Sequence, residues 1–214
     1  MRKLWLWIEG ILLFVVAPVV IGQALRSCPW FLLLVAVAVA VAIWLVCCEN
    51  FSLRHFWLGD CVEAERRQLR GVLLRFSVCA AGLVALTFAL YPEKLFEFPR
   101  ATPFRWAALL FIYPAVSVYP QELLYRAFFV RRYQSLFPQV NVSLLISALV
   151  FAWMHLIFRN YLAIILTLVG GWFFAQTYAR TRSLRLVCLE HALYGNLIFT
   201  IGLGEYFCKT ATHP

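Results

Sequence analysis

Seven runs of apolar residues follow one another along the chain, separated by short polar connections. Each run comes close to the roughly 20 residues that a helix needs to cross the hydrocarbon core of a bilayer. Helices satisfy their own backbone hydrogen bonds in lipid, so the pattern predicts an all-α, polytopic transmembrane helix bundle of about seven or eight spans. We expect one membrane-embedded domain over residues 1–214. The predicted spans are Leu4–Ile21, Trp30–Cys48, Val72–Tyr91, Arg105–Arg132, Asn141–Phe158, Tyr161–Tyr178 and Ser183–Gly204.

Two segments depart from this simple alternation. Glu49–Gly71 mixes aromatic residues with charged ones, a pattern typical of an amphipathic piece that lies on the membrane surface. Arg105–Arg132 is longer than one straight span requires and contains Pro114 and Pro120. Proline removes a helical hydrogen bond, so we expect a kinked or broken helix there. Arg75, near the end of the third span, is expected to extend its charged group to the interface.

Composition supports a membrane location. The chain is 64% hydrophobic and 14% charged, with a mean hydropathy of +0.82. A soluble domain averages about 45–50% apolar and about 25% charged residues. The formal net charge is +9, but the basic residues stand in short clusters at the ends of the predicted helices. These clusters indicate topology signals and contact with anionic lipid, and they exclude nucleic acid as the expected partner.

The distribution of basic residues predicts the orientation, because cytoplasmic loops carry the excess of Lys and Arg. With the N-terminus in the cytoplasm, eleven basic residues lie on the inner side and six on the outer side. We therefore expect the N-terminus, Arg66 and Arg131 in the cytoplasm and Thr212 on the opposite side. The short length and compact loops favour a multi-pass protein of a bacterial inner membrane. The inner set is Arg2, Lys3, Arg54, Arg66, Arg67, Arg70, Arg131, Arg132, Arg180, Arg182 and Arg185. The outer set is Arg26, Lys94, Arg100, Arg105, Arg159 and Lys209.

Ionisable residues inside the apolar runs are the candidate functional groups, because a charge in hydrocarbon is costly and usually serves chemistry or transport. They form three motifs on three different spans: Gln121-Glu122-x-x-x-Arg126, Phe151-x-x-x-His155, and Glu190-His191 followed by Asn196. At 1.5 Å per residue the expected depths of Glu122, His191 and His155 are roughly 15, 9 and 21 Å from the inner boundary. The three side chains bracket the midplane, and helix tilt must bring them together.

A glutamate and two histidines in a water-poor pocket support two kinds of chemistry. Glu122 can act as a general base that takes a proton from a water attacking a carbonyl, with a histidine stabilising the oxyanion. Alternatively, Glu122, His155 and His191 can hold zinc with an open fourth position. The chain lacks the His-Glu-x-x-His spacing of a helical zinc site, so we expect no cofactor and keep zinc as the lesser alternative. Structural explanations also stand: Glu122 and Arg126 as an ion pair, and each histidine as a satisfied interior side chain.

The three motifs together resemble the CAAX-protease and bacteriocin-processing family of glutamic-type intramembrane endopeptidases. Its pattern is Glu-Glu-x-x-x-Arg, then Phe-x-x-x-His, then His-x-x-x-Asn, each on its own helix, and the motif-bearing half is about residues 105–204. The resemblance implies a bundle of about eight helices that hydrolyses peptide bonds near the membrane surface with a glutamate-activated water. On this pattern we expect catalysis by Glu122, His155 and His191, with Gln121, Arg126 and Asn196 in supporting roles.

Two positions depart from the family pattern. Gln121 replaces the first glutamate of the pair, and an amide cannot accept the proton of the water. We expect Glu122 to face both histidines as the base and Gln121 to orient water or substrate. Gly195 stands four residues after His191, and Asn196 lies about 140° from the face of that histidine on a regular helix, so it reaches the site only if a π-bulge or a rotation re-aims it. Glu190 is expected to pair with an arginine.

The favoured function is an intramembrane peptide hydrolase whose partners are a membrane-associated protein or peptide substrate and the lipid bilayer. The first alternative, suggested by Gln121, is a catalytically inactive relative that binds membrane substrates or partners. The second is a small proton-coupled transporter that uses Glu122, His155 and His191 as a relay. Transporters of that type often carry paired broken helices, whereas this chain has one prominent break, at Pro114–Pro120.

Overall fold

The chain folds as a helical bundle in a computed structural model that describes residues 1–24, 30–49, 51–58 and 62–207. Over these residues it has eight helices and no strand, which confirms the predicted all-α class. The helices are α1 (Arg2–Ile11, continued by a π-helical turn Leu12–Val16 and by Ala17–Ala24), α2 (Trp30–Glu49), α3 (Val62–Leu90), α4 (Glu97–Ala101), α5 (Pro103–Tyr133), α6 (Val140–Met154), α7 (Tyr161–Thr181) and α8 (Leu184–Thr200). Single 3₁₀ turns lie at Leu53–Phe56, His155–Phe158 and Gly204–Phe207.

Five of the described helices are long and apolar enough to cross a membrane. They correspond to α1, α3, α5, α6 with its following 3₁₀ turn, and α7. The apolar part of α2, Leu32–Cys48, is shorter, and α8 has 17 residues. The chain is an integral membrane protein, and seven of its helices match the seven predicted apolar runs in order.

The helices that carry the three motifs lie in the middle of the bundle. In the apolar stretch of each helix that is long enough to cross a membrane, about 39% of the residues are buried in α6 and in α7 and 33% in α5. In α3 only 11% are buried. The side chains that α3 leaves exposed are mostly apolar, as expected of a lipid-facing helix. Polar side chains placed on α5 to α8 are thus withdrawn from lipid and can face one another.

Short polar caps set the turns between the central helices. Asn160 accepts hydrogen bonds from the backbone N–H groups of Leu162 and Ala163 at 2.8 and 3.3 Å and so caps the start of α7. Ser183 accepts from the Leu186 N–H at 3.2 Å and caps the start of α8. Asn and Ser are preferred at this position because their side-chain oxygens satisfy N–H groups that lack a helical partner. These caps hold α6, α7 and α8 in a tight up-and-down order.

Two predictions for the early part of the chain are wrong. The charged residues Glu63 to Arg70 do not belong to a separate surface piece, because α3 is continuous from Val62 and contains them, and only the turn Leu53–Phe56 precedes it in the described part of this segment. Arg75 does not extend toward the interface. It turns inward, donates a hydrogen bond to Thr177 at 3.1 Å and forms an ion pair with the fully buried Glu190. A buried carboxylate needs a partner, and that need outweighs the pull of the interface on Arg75.

The two ends of the bundle carry different sets of charged residues. At one end Arg132 pairs with Glu9 at 2.6 Å, and the Arg131 guanidinium lies 5.6 Å from the Phe51 ring. Arg185 joins this end by donating its backbone N–H to the Trp57 carbonyl at 3.0 Å. At the opposite end Lys94 pairs with Glu205. The basic residues at each end agree with the predicted inner and outer groups. Arg26, Lys209 and Thr212 lie outside the described residues.

Candidate active site

The central helix α5 changes its hydrogen-bonding pattern on both sides of the first motif. π-Helical turns at Pro114–Val118 and Leu123–Phe128 flank the α-helical turn Tyr119–Glu122. Proline has no N–H to donate, and its ring crowds the carbonyl four residues earlier, so Pro114 and Pro120 favour irregular turns. The predicted irregular helix is present, as widened turns within one continuous helix.

Glu122 lies at the centre of the bundle and is fully buried. Its Oε1 accepts a hydrogen bond from Nδ1 of His191 at 2.8 Å. Its Oε2 lies 3.2 Å from Nε of Arg126, close enough for an ion pair but without the alignment of a hydrogen bond. Both carboxylate oxygens are therefore engaged with other side chains.

Arg126 anchors this glutamate to two neighbouring helices. It is fully buried and donates from Nη1 to Ser147 Oγ on α6 at 2.7 Å and from Nη2 to the Gly171 carbonyl on α7 at 3.2 Å. Its guanidinium carbon lies 5.1 Å from the centre of the Phe151 ring. The Glu122–Arg126 pair thereby fixes the rotation of α5 against α6 and α7.

His155 ends α6 and is held by its own helix. Its Nδ1 lies 2.7 Å from the Phe151 carbonyl oxygen. A carbonyl only accepts, so Nδ1 carries the hydrogen, and Nε2 of the neutral ring is an acceptor. Nε2 forms no hydrogen bond with a residue in the described part of the chain.

His191 projects from α8 and is fixed on every side. Its ring stacks on Phe174 at a centroid distance of 4.6 Å and meets the Phe151 ring edge-on at 5.6 Å. Nδ1 bonds to Glu122, and Nε2 lies 3.2 Å from the hydroxyl of Tyr113. The imidazole is held between a carboxylate and a phenol.

A cavity of about 1200 Å³ lies between α2, α3 and α5 to α8. Most of its lining is apolar, with a few polar side chains, which is the usual character of a small-molecule or substrate site. The polar groups on its wall include Tyr113, Ser117, Gln121, His155 and His191. Gln121 donates from Nε2 to Ser117 Oγ at 2.8 Å, and its Oε1 is buried without a hydrogen-bond partner among the described residues.

The predicted contact of Glu122 with a histidine is present for His191, whose Nδ1 bonds to the carboxylate, whereas His155 bonds to the Phe151 carbonyl. The cavity wall carries Gln121 and not Glu122. Adjacent helical residues point about 100° apart, so only one of the two can face the cavity. The contacts of Arg126 with α6 and α7 hold Glu122 toward the helix interface, behind His191.

Asn196 is also outside the cavity. No π-bulge re-aims it, because α8 is α-helical throughout Leu184–Thr200. Its Nδ2 donates to the Leu110 carbonyl at 3.2 Å. The residue that lines the cavity on that face of α8 is Gly195.

The three residues considered for zinc do not form a ligand set. Among the described residues, no group of three or more His, Cys, Asp or Glu side chains could hold a metal ion. Glu122 Oε1 bonds directly to His191 Nδ1, and His155 uses its own Nδ1 on a backbone carbonyl. The two Nε2 atoms and the Glu122 oxygens therefore do not converge on one point.

Three side chains of the site were not predicted from the sequence: Tyr113, Ser117 and Ser147. All are neutral side chains in apolar runs, where Tyr and Ser usually serve packing. The expected pairing of Glu190 with an arginine is confirmed, and its partner is Arg75. Gly195 was the available signal for Tyr113, because a glycine facing a cavity often marks a close approach by another group.

The fold and the site together define a polytopic membrane protein with a buried Glu–His–Arg cluster beside a largely apolar cavity. Residues 100–197 match the family model described as type II CAAX prenyl endopeptidase Rce1-like. This segment contains all three motifs, and its match to that family model confirms the resemblance found from the motifs. Comparison with curated proteins gave no match, and comparison with solved structures gave none either.

Proposed function

We propose that this protein is an intramembrane endopeptidase that hydrolyses a peptide bond of a membrane-associated protein or peptide inside the cavity. The observation that carries the proposal is the presence of two orientated histidines, from different helices, on the wall of one mostly apolar cavity. The matched family is one of endopeptidases, which supports this class of reaction. Such a site can admit a peptide, keep out bulk water and hold one water for attack.

In this proposal His155 accepts the proton of the attacking water. His155 lines the cavity and its Nε2 is an acceptor, whereas Glu122 is fully buried and does not line the cavity. Neutral imidazole is the usual proton acceptor near neutral pH. Gln121 lies on the same wall beside Ser117, and its amide can turn to orient that water. The proton held by His155 then passes to the amine that leaves.

Glu122 acts through His191 as a positioning residue. Its carboxylate accepts from Nδ1, which fixes the tautomer and the direction of Nε2. Arg126 holds that carboxylate in place from the other side.

One observation favours a second candidate, an inactive relative that binds membrane substrates. The cavity wall carries the amide of Gln121 where the family pattern has a carboxylate. The variant Gln121→Glu separates the two functions. A chain that cleaves already should tolerate the change or gain rate, whereas a chain that binds only should change from no cleavage to cleavage.

Substrates can be sought by comparing membranes that contain the unaltered protein with membranes that contain His155→Ala. Quantitative proteomics of new peptide termini should find fragments that depend on His155, and their uncleaved parents should accumulate in the variant. His55→Ala is the matched control, because His55 does not line the cavity. Identical sets of termini in all three membranes would remove the peptidase proposal, and co-purification of intact membrane proteins would then favour the binding function.

The matched family description suggests prenylated C-terminal peptides as the first substrates to test. Internally quenched peptides with and without a prenyl group provide a direct assay in proteoliposomes. The apolar lining of the cavity supports a lipid-modified substrate. Equal rates of cleavage for both peptides would support the peptidase function and contradict a preference for prenylated substrates.

We also propose that the N-terminus and the arginine-rich end of the bundle face the cytoplasm of a bacterial inner membrane. Single cysteines placed at Arg66 and Arg131 in a cysteine-free background should react together with a membrane-impermeant reagent only from the inner side. A cysteine at Lys94, at the opposite end of the bundle, should react only from the outer side. Labelling of Lys94 and Arg131 from the same side would contradict this topology.

A further inference from the structure

Tyr113 brings a hydroxyl group to the wall of the cavity. It is the last residue of the first α-helical segment of α5, directly before the π-helical turn at Pro114–Val118. Its ring meets His191 edge-on at a centroid distance of 6.2 Å, and its hydroxyl lies 3.2 Å from His191 Nε2. Tyr113 therefore contacts the side of the imidazole that is opposite to Glu122.

The direction of this hydrogen bond follows from Glu122. A carboxylate accepts hydrogen bonds and donates none, so His191 Nδ1 carries a hydrogen. The neutral ring then has an acceptor at Nε2, and the Tyr113 hydroxyl is the donor. A chain of contacts runs from Arg126 through Glu122 and His191 to the hydroxyl of Tyr113, and it ends at the cavity.

Gly195 makes room for this hydroxyl. A side chain at position 195 would begin inside the space that the Tyr113 hydroxyl and the neighbouring ring carbons occupy. Position 195 is four residues after His191, where the family motif has an asparagine. Asn196, one residue later, is bound to the Leu110 carbonyl away from the cavity. The hydroxyl of Tyr113 thus fills the space into which an asparagine at position 195 would project.

We propose that Tyr113 is a further catalytic residue, which donates a hydrogen bond to the oxyanion formed when water attacks the scissile carbonyl. This role rests on the proposed peptidase function. As the water oxygen bonds to the carbonyl carbon, His155 takes one proton and the carbonyl oxygen becomes negative. The Tyr113 O–H turns from His191 Nε2 to that oxygen. When the C–N bond breaks, the oxyanion collapses to a carboxyl group, the amine leaves with the proton from His155, and the hydroxyl returns to Nε2.

The test compares kcat and KM of Tyr113→Phe with those of the unaltered protein in proteoliposomes. Removal of one oxyanion donor typically lowers kcat about 10²–10³-fold, and KM should change little because the donor acts on the charge of the transition state. Tyr161→Phe is the control for loss of a phenol hydroxyl, since Tyr161 is exposed and does not line the cavity, and its kcat should change less than about threefold. A second pair of variants exchanges the donor: Gly195→Asn in a Tyr113→Ala background should regain part of the kcat that Tyr113→Ala alone loses.

The outcomes separate this role from the proposed function. Cleavage by the unaltered protein with full kcat in Tyr113→Phe would overturn the role of Tyr113 alone. A change confined to KM would also overturn it, because it would assign Tyr113 to substrate binding. Absence of cleavage by the unaltered protein on substrates found in its own membranes would overturn the peptidase function and this role together.

Discussion

Glu122→Gln is expected to reduce cleavage by up to about 10⁴-fold, the loss associated with replacing a buried carboxylate that fixes the tautomer of an active-site histidine. The amide can still accept from His191 Nδ1, so the fold should persist, but the buried negative charge behind the imidazole disappears. Without it, His191 loses its electrostatic support and Arg126 loses its counter-charge. Because Glu122 does not contact the cavity, we expect the loss in kcat with little change in KM.

Glu9→Gln is the matched control for this change. Glu9 also pairs with an arginine, Arg132, but at the end of the bundle and away from the cavity. Its rate should stay within about twofold of that of the unaltered protein, since surface ion pairs contribute little. Initial rates in proteoliposomes measure both variants. An unchanged rate for Glu122→Gln would contradict the role assigned to the Glu122–His191 pair.

Arg126→Met is expected to destabilise the protein by about 3–5 kcal/mol, because it leaves the fully buried carboxylate of Glu122 without its counter-charge. The substitution also removes donors to Ser147 and to the Gly171 carbonyl, which join α5 to α6 and α7. Unfolding in mixed detergent micelles measures the free energy of unfolding. Arg100→Met is the control, because Arg100 is exposed and its hydrogen bonds go to nearby backbone carbonyls.

The double variant Arg126→Met with Glu122→Gln tests the cause of this loss. If the unpaired charge dominates, the double variant should be more stable than Arg126→Met alone, since neutral replacement of a buried pair is often well tolerated. If the double variant is as unstable as the single one, the contacts to Ser147 and Gly171 dominate, and the electrostatic explanation is contradicted.

The number and order of the long helices were largely predictable from the sequence, because each membrane-spanning run is recognisable by its length and its hydropathy. The contact between Glu122 and Arg126 was also predictable from their four-residue spacing on a helix. Depth estimates were less successful. They placed Glu122 and His191 about 6 Å apart along the membrane normal, yet the two side chains share a hydrogen bond. Helix tilt and the widened turns of α5 account for the difference.

Which of the two residues, Gln121 or Glu122, faces the cavity could not be predicted from the local sequence. Their order along the helix is known, but the rotation of α5 within the bundle depends on contacts with distant segments, chiefly those of Arg126 with Ser147 and Gly171. The π-helical turns at Pro114–Val118 and Leu123–Phe128 shift this rotation further, because each departs from 3.6 residues per turn.

The role of Tyr113 escaped detection for a different reason. An aromatic residue in an apolar run has no distinctive local pattern, and its partner His191 is 78 residues away. Only the close approach between Tyr113 and Gly195 reveals the relation. The inward turn of Arg75 toward Glu190 likewise depends on a partner 115 residues away.

The central claim is that this cavity hydrolyses a peptide bond with a water activated at His155. Incubation of the purified protein with a cleaved peptide in ¹⁸O-enriched water tests it most directly, with mass spectrometry of the new C-terminal fragment. The unaltered protein should place one ¹⁸O atom in the new carboxyl group in a single turnover, and His155→Ala should give no product while retaining the peptide on the protein. Peptide binding without cleavage by the unaltered protein, or ¹⁸O incorporation undiminished in His155→Ala, would contradict the account.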